Sequence, residues 1–427
     1  MRTRTTLSAC LALMMLTACG SGGDEAAVTI ERIVTVSDGD YLASTYVDGV
    51  LAPDGQRDLL TRLRIDNGEV SAEHLEVSNS VTSAPEVLAL SPDGTTAFVT
   101  ERLGQRQPGM TRAQQLPQGN RLFAVDISSS PRIIGTTTIA HSPEALAVSP
   151  DGARIATASN TAEASIIQLI PWTTTGFGES RQYDLATLGI TGDPARPRGG
   201  ALATNVHWHP NGRAVAVNIT TQNRVAFFTV DDTGLRPWGA PVTTGADPFV
   251  GRFTPDGRHY VTSDWGRNLT TTNLAERLPA TRSKLSVIRL TATGDHHVTA
   301  TAESDKSAEG IAINPAGDRI ATINMRGTVF PPDSPAHDPQ ASVSLLRLDP
   351  TTGALTKLGD YPLDGILPEG GAFDPTGNYF LATIYQPRTP TSPGSGLQIY
   401  RVTPDRLTPI QHIPLPHGVH HVATTAK

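Results

Sequence analysis

A four-residue turn, Ser-Pro-Asp-Gly, with a short apolar run on each side, recurs along the chain and limits its fold more than any other feature. It stands at residues 88–100 as LALSPDGTTAFVT and returns at 146–158 (LAVSPDGARIATA) and 206–219 (VHWHPNGRAVAVNI). Further copies occupy residues 250–263 (VGRFTPDGRHYVTS), 311–324 (IAINPAGDRIATIN) and 371–384 (GAFDPTGNYFLATI). The turn prolines Pro92, Pro150, Pro210, Pro255, Pro315 and Pro375 follow one another at 58, 60, 45, 60 and 60 residues. A period of this length marks a stacked or circular array.

Each copy reads as a hairpin. Proline presets φ at the second turn position, and Asp or Asn before Gly suits the backbone that follows. A second hairpin comes after each copy, as in residues 342–363 (SVSLLRLDPTTGALTKLGDYPL) and 224–242 (RVAFFTVDDTGLRPWGAPV). Four antiparallel strands per unit make a blade of a β-propeller. One blade buries too little to stand alone, so the blades must close into a ring.

The expected fold is all-β: a seven-bladed propeller of four-stranded blades, with N- and C-terminal segments sharing one blade. Residues 28–36 read as a lead-in, Tyr41 to Tyr46 as a strand, and residues 59–66 and 69–77 as a hairpin. That leaves the first blade one strand short. The C-terminal PHGVHHV (416–422) aligns with PEVLALS (85–91) and supplies the missing inner strand. An eighth blade is the alternative if residues 30–36 are themselves an inner strand.

Both cysteines, Cys10 and Cys19, lie in the first twenty residues, so no disulfide framework is available beyond them. Arg2 and Arg4, an apolar core at 7–16 and then small residues read as an export signal, too short to span a bilayer. Leu16-Thr17-Ala18-Cys19 resembles a bacterial lipobox, which implies lipidation at Cys19 and anchoring by more than one acyl chain. The expected division is a signal at 1–18, a lipidated cysteine with a flexible tether at 19–35, and the propeller at 36–427. The location is then the cell envelope, on the periplasmic or surface side of a bacterial membrane. A formal charge of −7 argues against general nucleic-acid binding. A monomer is expected.

Tight turns fall on one face of the disc. The long connections, residues 102–120, 264–283, 325–341 and 385–396, gather on the other with the segment TGDPARPRGGAL (191–202). Loops beyond about a dozen residues are usually functional or disordered, which marks that face as the functional one.

Six residues before each turn proline, an inner strand begins at this face. The positions read Glu86, Glu144, Thr204, Phe249, Glu309 and Glu369, with His417 added by the C-terminal alignment. Three positions before the prolines the ring reads Ala89, Ala147, His207, Arg252, Ala312, Ala372 and His420. Two roles fit the repeated glutamate. It can hydrogen-bond the next blade's backbone, or it can line an acidic mouth. Converging carboxylates raise one another's pKa unless a cation compensates. Glu86, Glu144, Glu309 and Glu369 are therefore the candidate ligands for Ca²⁺ or Mg²⁺, the oxygen-seeking cations. No serine-hydrolase elbow, metalloprotease helix, phosphate loop or dinucleotide fingerprint is present.

The segments 222–262 and 341–383 resemble the seven-bladed lactonase family, which includes 6-phosphogluconolactonase and a muconate-lactonising branch, and the YVTN-type surface propellers. The likeness runs over about residues 36–423 and implies the propeller fold. The phosphogluconolactonase branch carries Pro-Arg-His at the start of an inner strand; here the place is held by Pro248-Phe249-Val250. Two functions are carried forward. One is an envelope-anchored propeller that binds a ligand or protein partner through its loop-rich face, with Glu86, Glu369, His417, His420 and Arg326 as binding residues. The other is a lactone hydrolase, in which Glu144 or Glu309 is general base or metal ligand and Arg252 with His207 stabilises the oxyanion.

Overall fold

The computed structural model describes residues 28–81, 86–193 and 195–426. The expected export signal, Cys19 and residues 20–27 of the expected tether lie outside these residues. No helix among them is long and apolar enough to cross a membrane.

Seven sheets are arranged in a ring, each with its strands in radial order. Blade 1 is built from Val419–Thr425, Ile30–Ser37, Leu59–Asp66 and Glu69–Glu76, from the centre outwards. Blades 2 to 7 begin with the inner strands Leu88–Leu90, Pro143–Val148, Ala203–Trp208, Pro248–Phe253, Ala308–Ile313 and Gly371–Phe373. The repeat explains the hairpins. In every copy the turn glycine has positive φ, from 66° at Gly94 to 75° at Gly377. Its N–H donates to the carbonyl three residues back, as Gly94 does to Ser91 at 2.8 Å. The turn aspartate is held locally: Asp93 accepts from the Thr95 N–H at 3.0 Å and from the Ser91 hydroxyl at 2.5 Å.

Closure comes from the tail. Val419–Thr425 pairs antiparallel with Ile30–Ser37, with Thr35 opposite Val422 and Arg32 opposite Thr425. The two chain ends thus lock one blade, which leaves neither inner edge open. Gly418, at φ 84°, makes the approach possible, because a Cβ there would collide with the Asp38 carbonyl.

Three expectations change. Ile30–Ser37 is the second strand of blade 1, not a lead-in and not the inner strand of an eighth blade; the propeller therefore starts ahead of residue 36. Tyr41 to Tyr46 is not a strand. Tyr41 makes only an isolated bridge to Leu51, and the chain then winds into a short helix, Thr45–Asp48. The Thr45 hydroxyl accepts the Leu42 N–H at 2.9 Å, and Gly49 ends the helix at φ 70°. Finally, the C-terminal alignment is offset by three residues, as the bulges show. Inner strands of blades 3 to 6 skip one residue in their pairing, at Glu144, Thr204, Phe249 and Glu309. In blade 1 the skipped residue is His420. His420, not His417, is thus the counterpart of the glutamates.

The long connections do cluster on the face where inner strands begin. They pack into an apolar layer of their own, in which Tyr41, Leu103, Leu116, Trp265, Met325, Phe330 and Tyr385 are all buried. Burying a side chain such as Phe249 in this layer stabilises the fold by about 1.5–3 kcal/mol. The loop face is therefore a packed surround for the channel mouth.

Candidate functional site

A cavity of about 370 Å³ opens at the mouth. Its polar lining comes from Tyr46, Arg102, Glu144, Thr204, Arg267, Thr272, Arg277, Glu309 and Glu369; Leu202, Phe249, Trp265, Leu274, Leu278, Met325, Val329 and Leu367 supply apolar wall. The bulges explain how the glutamates reach it. An extra residue in one strand breaks the ladder locally and re-aims its side chain, and Glu144 and Glu309 are such residues.

The glutamates of the ring differ in what neutralises them. Glu86 takes Nη2 of Arg252 from across the channel, at 2.6 and 2.7 Å to its two oxygens. Burial opposes its ionisation, but Arg252 and the neighbouring imidazoles outweigh that and hold its carboxyl below the usual range. Glu144 lies 3.3 Å from Nη2 of Arg102 and accepts from Asn160 at 3.3 Å.

Glu309 has no such partner. It is 1 % exposed, and neither oxygen is hydrogen-bonded among the described residues. Burial pushes its carboxyl up to about 8, against the pull of Arg267. Glu369 is fully buried as well. Its Oε1 accepts from the Tyr46 hydroxyl at 3.2 Å, while Oε2 is left without a partner. Burial, then Glu309 next to it, raises its carboxyl well above the ordinary value. At neutral pH Glu309 is protonated for the most part.

Arg267 is held rigidly beside them. Asp247 binds it through two oxygens, at 2.7 and 3.0 Å, and the guanidinium stacks 4.4 Å from the Phe249 ring and 4.1 Å from that of Trp265. Asp247 adopts φ 60° and is anchored by the Thr220 hydroxyl. Such a cation, desolvated and fixed in direction, can stabilise a negative charge that develops on a substrate.

Residues 41–386 match the family described as Lactonase, 7-bladed beta-propeller. The chain belongs to that lactonase family. Solved structures agree on the fold. The periplasmic gluconolactonase PpgL of Pseudomonas aeruginosa superimposes with TM-score 0.64 at 15% identity, over 93% of this chain and 99% of that one. A candidate 6-phosphogluconolactonase of Bacteroides uniformis gives 0.63 at 15% identity, over 92% and 99%. A protein from Lactobacillus plantarum gives 0.62 at 14% identity, over 92% and 98%. No curated relative matches in sequence.

Within this lactonase-family ring, the residues singled out from sequence separate into three groups. Glu144, Glu309 and Glu369 meet at the mouth. Glu86, His207 and Arg252 sit deeper, in a channel of about 640 Å³ that also takes in His421. Burial, then Arg252, lowers the His207 imidazole to about 3, so it is neutral; Arg252 is already committed to Glu86. Neither lines the mouth, so the expected oxyanion pair of Arg252 and His207 is displaced from the glutamate base.

The third group lies away from both cavities. His417 bonds the Tyr41 carbonyl through Nε2 at 2.6 Å and packs against the Tyr385 ring. His420 is fully buried, with Nε2 2.9 Å from Asn79 Oδ1. Arg326 pairs with Asp338 at 2.7 Å. The four glutamates do not converge as cation ligands, because Arg252 and Arg102 claim two of them. Among the described residues no group of three or more His, Cys, Asp and Glu side chains could hold a metal ion.

Sequence reasoning gave no role to Tyr46, Arg102, Arg267 and Arg277. Their signal was position: Arg102, Arg267 and Arg277 all fall in the long loops of the functional face.

Proposed function

We propose that this protein hydrolyses a lactone at the channel mouth. The observation that carries the reading is Glu309: a buried carboxyl beside a fixed arginine, without a hydrogen-bond partner and with a pKa close to neutrality. A general base works best when its pKa lies near the operating pH. Glu369, whose carboxyl burial also raises well above its ordinary value, suits the complementary task of acid.

In the proposed reaction, ionised Glu309 removes a proton from water as the water oxygen bonds to the lactone carbonyl carbon. The oxyanion that forms is stabilised by Arg267. Collapse breaks the ring carbon–oxygen bond, and Glu369, in contact with Tyr46, donates its proton to the departing oxygen. The product is the open hydroxy acid. Its carboxyl proton is lost to solvent, and the proton on Glu309 restores Glu369.

The lactonase family and the two relatives named for lactone substrates support the reading. Export and lipidation at Cys19 belong to the same proposal, on the residue order at 16–19 and on the periplasmic relative. The test is hydrolysis of a lactone panel by protein starting at Ser21, alongside Glu309→Gln. Turnover lost in Glu309→Gln supports the proposal. Saturable lactone binding without turnover in the wild type would instead make the mouth a binding site, the function of a partner- or ligand-binding envelope propeller.

A further inference from the structure

A phenol reaches Glu369 from the neighbouring blade. Tyr46 lies in residues 38–58, the connection between the second and third strands of blade 1, while Glu369 stands just ahead of the inner strand of blade 7. The Tyr46 hydroxyl donates to Oε1 at 3.2 Å, and Oε2 has no hydrogen-bond partner among the described residues. Both side chains line the cavity. Burial, then Glu369 itself, raises the Tyr46 phenol well above its ordinary value, so it keeps its proton and acts as the donor.

The connection that carries Tyr46 is fixed on both sides. Toward blade 7, Gln386 Oε1 accepts from the Ala43 N–H at 2.5 Å, and the Tyr41 carbonyl takes the Tyr385 hydroxyl at 3.1 Å as well as His417. Toward blade 2, Arg112 donates to the Asp48 carbonyl at 2.9 Å, the Leu51 N–H to the Thr111 carbonyl at 3.0 Å, and the Ala113 N–H to the Gly49 carbonyl at 2.9 Å. The Tyr46 ring packs 5.5 Å from that of Tyr41. A donor held in this way needs no reorganisation when the charge on its partner changes. Glu309 and Asp38 both act on Glu369 to raise its carboxyl; Tyr46 acts the other way, because its O–H favours the carboxylate.

We infer that Tyr46 is a positioning residue for the acid: by holding Oε1 of Glu369, it leaves Oε2 as the oxygen that carries the proton and delivers it to the departing ring oxygen. The inference rests on the hydrolase reading of the mouth. As the ring carbon–oxygen bond breaks, its electron pair stays on the oxygen, which takes the proton from Oε2, and Glu369 becomes a carboxylate. The Tyr46 hydrogen bond is then made to an ion and is about twice as strong. It therefore stabilises the transition state more than the ground state. An acid matters most where the leaving oxygen is a strong base. δ-Valerolactone opens to an alkoxide and dihydrocoumarin to a phenolate, from rings of the same size. Tyr46→Phe is expected to lower kcat on δ-valerolactone by about 10- to 100-fold with KM little changed, in line with a hydrogen bond to a charged group. On dihydrocoumarin the loss should stay below about threefold. Glu369→Gln should show the same asymmetry. Equal slowing on the two lactones, or none on either, overturns the inference and leaves the hydrolase standing.

An infrared measurement reads the same contact without turnover. A protonated carboxyl has a C=O stretch that is separate from the carboxylate bands. At neutral pH the difference between wild type and Glu369→Gln is expected to contain this band. Tyr46→Phe should move it to higher wavenumber, because the hydrogen bond to Oε1 is lost. A band that is absent from the wild type, or that stays in place in Tyr46→Phe, overturns the inference. A band that moves while neither lactone is hydrolysed sinks the hydrolase and keeps the assignment of the two oxygens. Phenylalanine preserves the ring contact with Tyr41, and a general loss of structure would slow both lactones alike, so the asymmetry between them is not a folding effect.

Discussion

Glu86 and Glu309 hold the same position in the repeat, six residues before a turn proline, yet they are in opposite electrostatic states. Glu86 sits against Arg252 and is held ionised. Glu309 meets no direct partner, and burial keeps its proton on to about pH 8. The backbone register is the same; only the neighbouring cation differs. The lesson is that the repeat delivers a carboxyl to the channel, and tertiary charge placement decides whether it becomes structure or chemistry. One arc of the ring, Glu86 and Glu144, is neutralised by arginines. The other, Glu309 and Glu369, has no arginine partner among the described residues and is raised by burial.

Activity provides the largest separation between the arcs. Glu309→Gln is expected to lower kcat for lactone hydrolysis by about 10²- to 10⁴-fold, the usual worth of a general base. Glu144→Gln should cost far less, since its carboxylate is already spent on Arg102. Equal losses measured in steady-state assays would erase the distinction.

Stability should show the reverse order. Arg252→Ala leaves Glu86 buried without its cation, and urea unfolding should report a loss of about 3 kcal/mol, the low end for a broken buried pair, because Arg252 is partly open to the channel. A change below about 0.5 kcal/mol would mean that the crossing ion pair does not hold the ring.

A pH series sharpens the contrast. The folded-state pKa of Glu309 is raised from 4.5 to about 8. Folding therefore favours its protonated form. The associated stability is fully present below about pH 4.5 and is lost as pH rises through about 8. Glu309→Gln keeps a neutral side chain at every pH. Its melting temperature relative to wild type should accordingly be higher at pH 9 than at pH 5. A difference independent of pH would contradict the raised pKa.

The smallest effect belongs to Arg326. Its pair with Asp338 is partly solvated, so Arg326→Ala should cost less than about 1 kcal/mol and leave KM for any lactone unchanged. A large rise in KM would return Arg326 to the ligand-binding set.

The fold was legible because its determinants are local. Pro-Asp-Gly turns fix φ and strand direction within a few residues, and the period counts the blades. The tail was harder to place. Val419–Thr425 is the last inner strand, and no turn proline follows it to set the count. Matching PHGVHHV to PEVLALS by proline put His417 where His420 belongs. The glutamates at the mouth were legible for the same reason as the blades. Their protonation was not, because Arg102, Arg252 and Arg267 come from other blades or from loops, and no spacing in the sequence relates them to the carboxyls they meet. Arg252 also showed the limit of reading a ring by register. It was expected to stabilise an oxyanion, and it crosses the channel to Glu86 instead.

The most direct test is a ¹³C NMR titration of the glutamate side-chain carboxyls. The account expects one resonance titrating near pH 8 that vanishes in Glu309→Gln and persists in Glu144→Gln. If every observable glutamate titrates below about pH 6, or the high-pH resonance survives Glu309→Gln, the contrast between the two arcs does not exist as described.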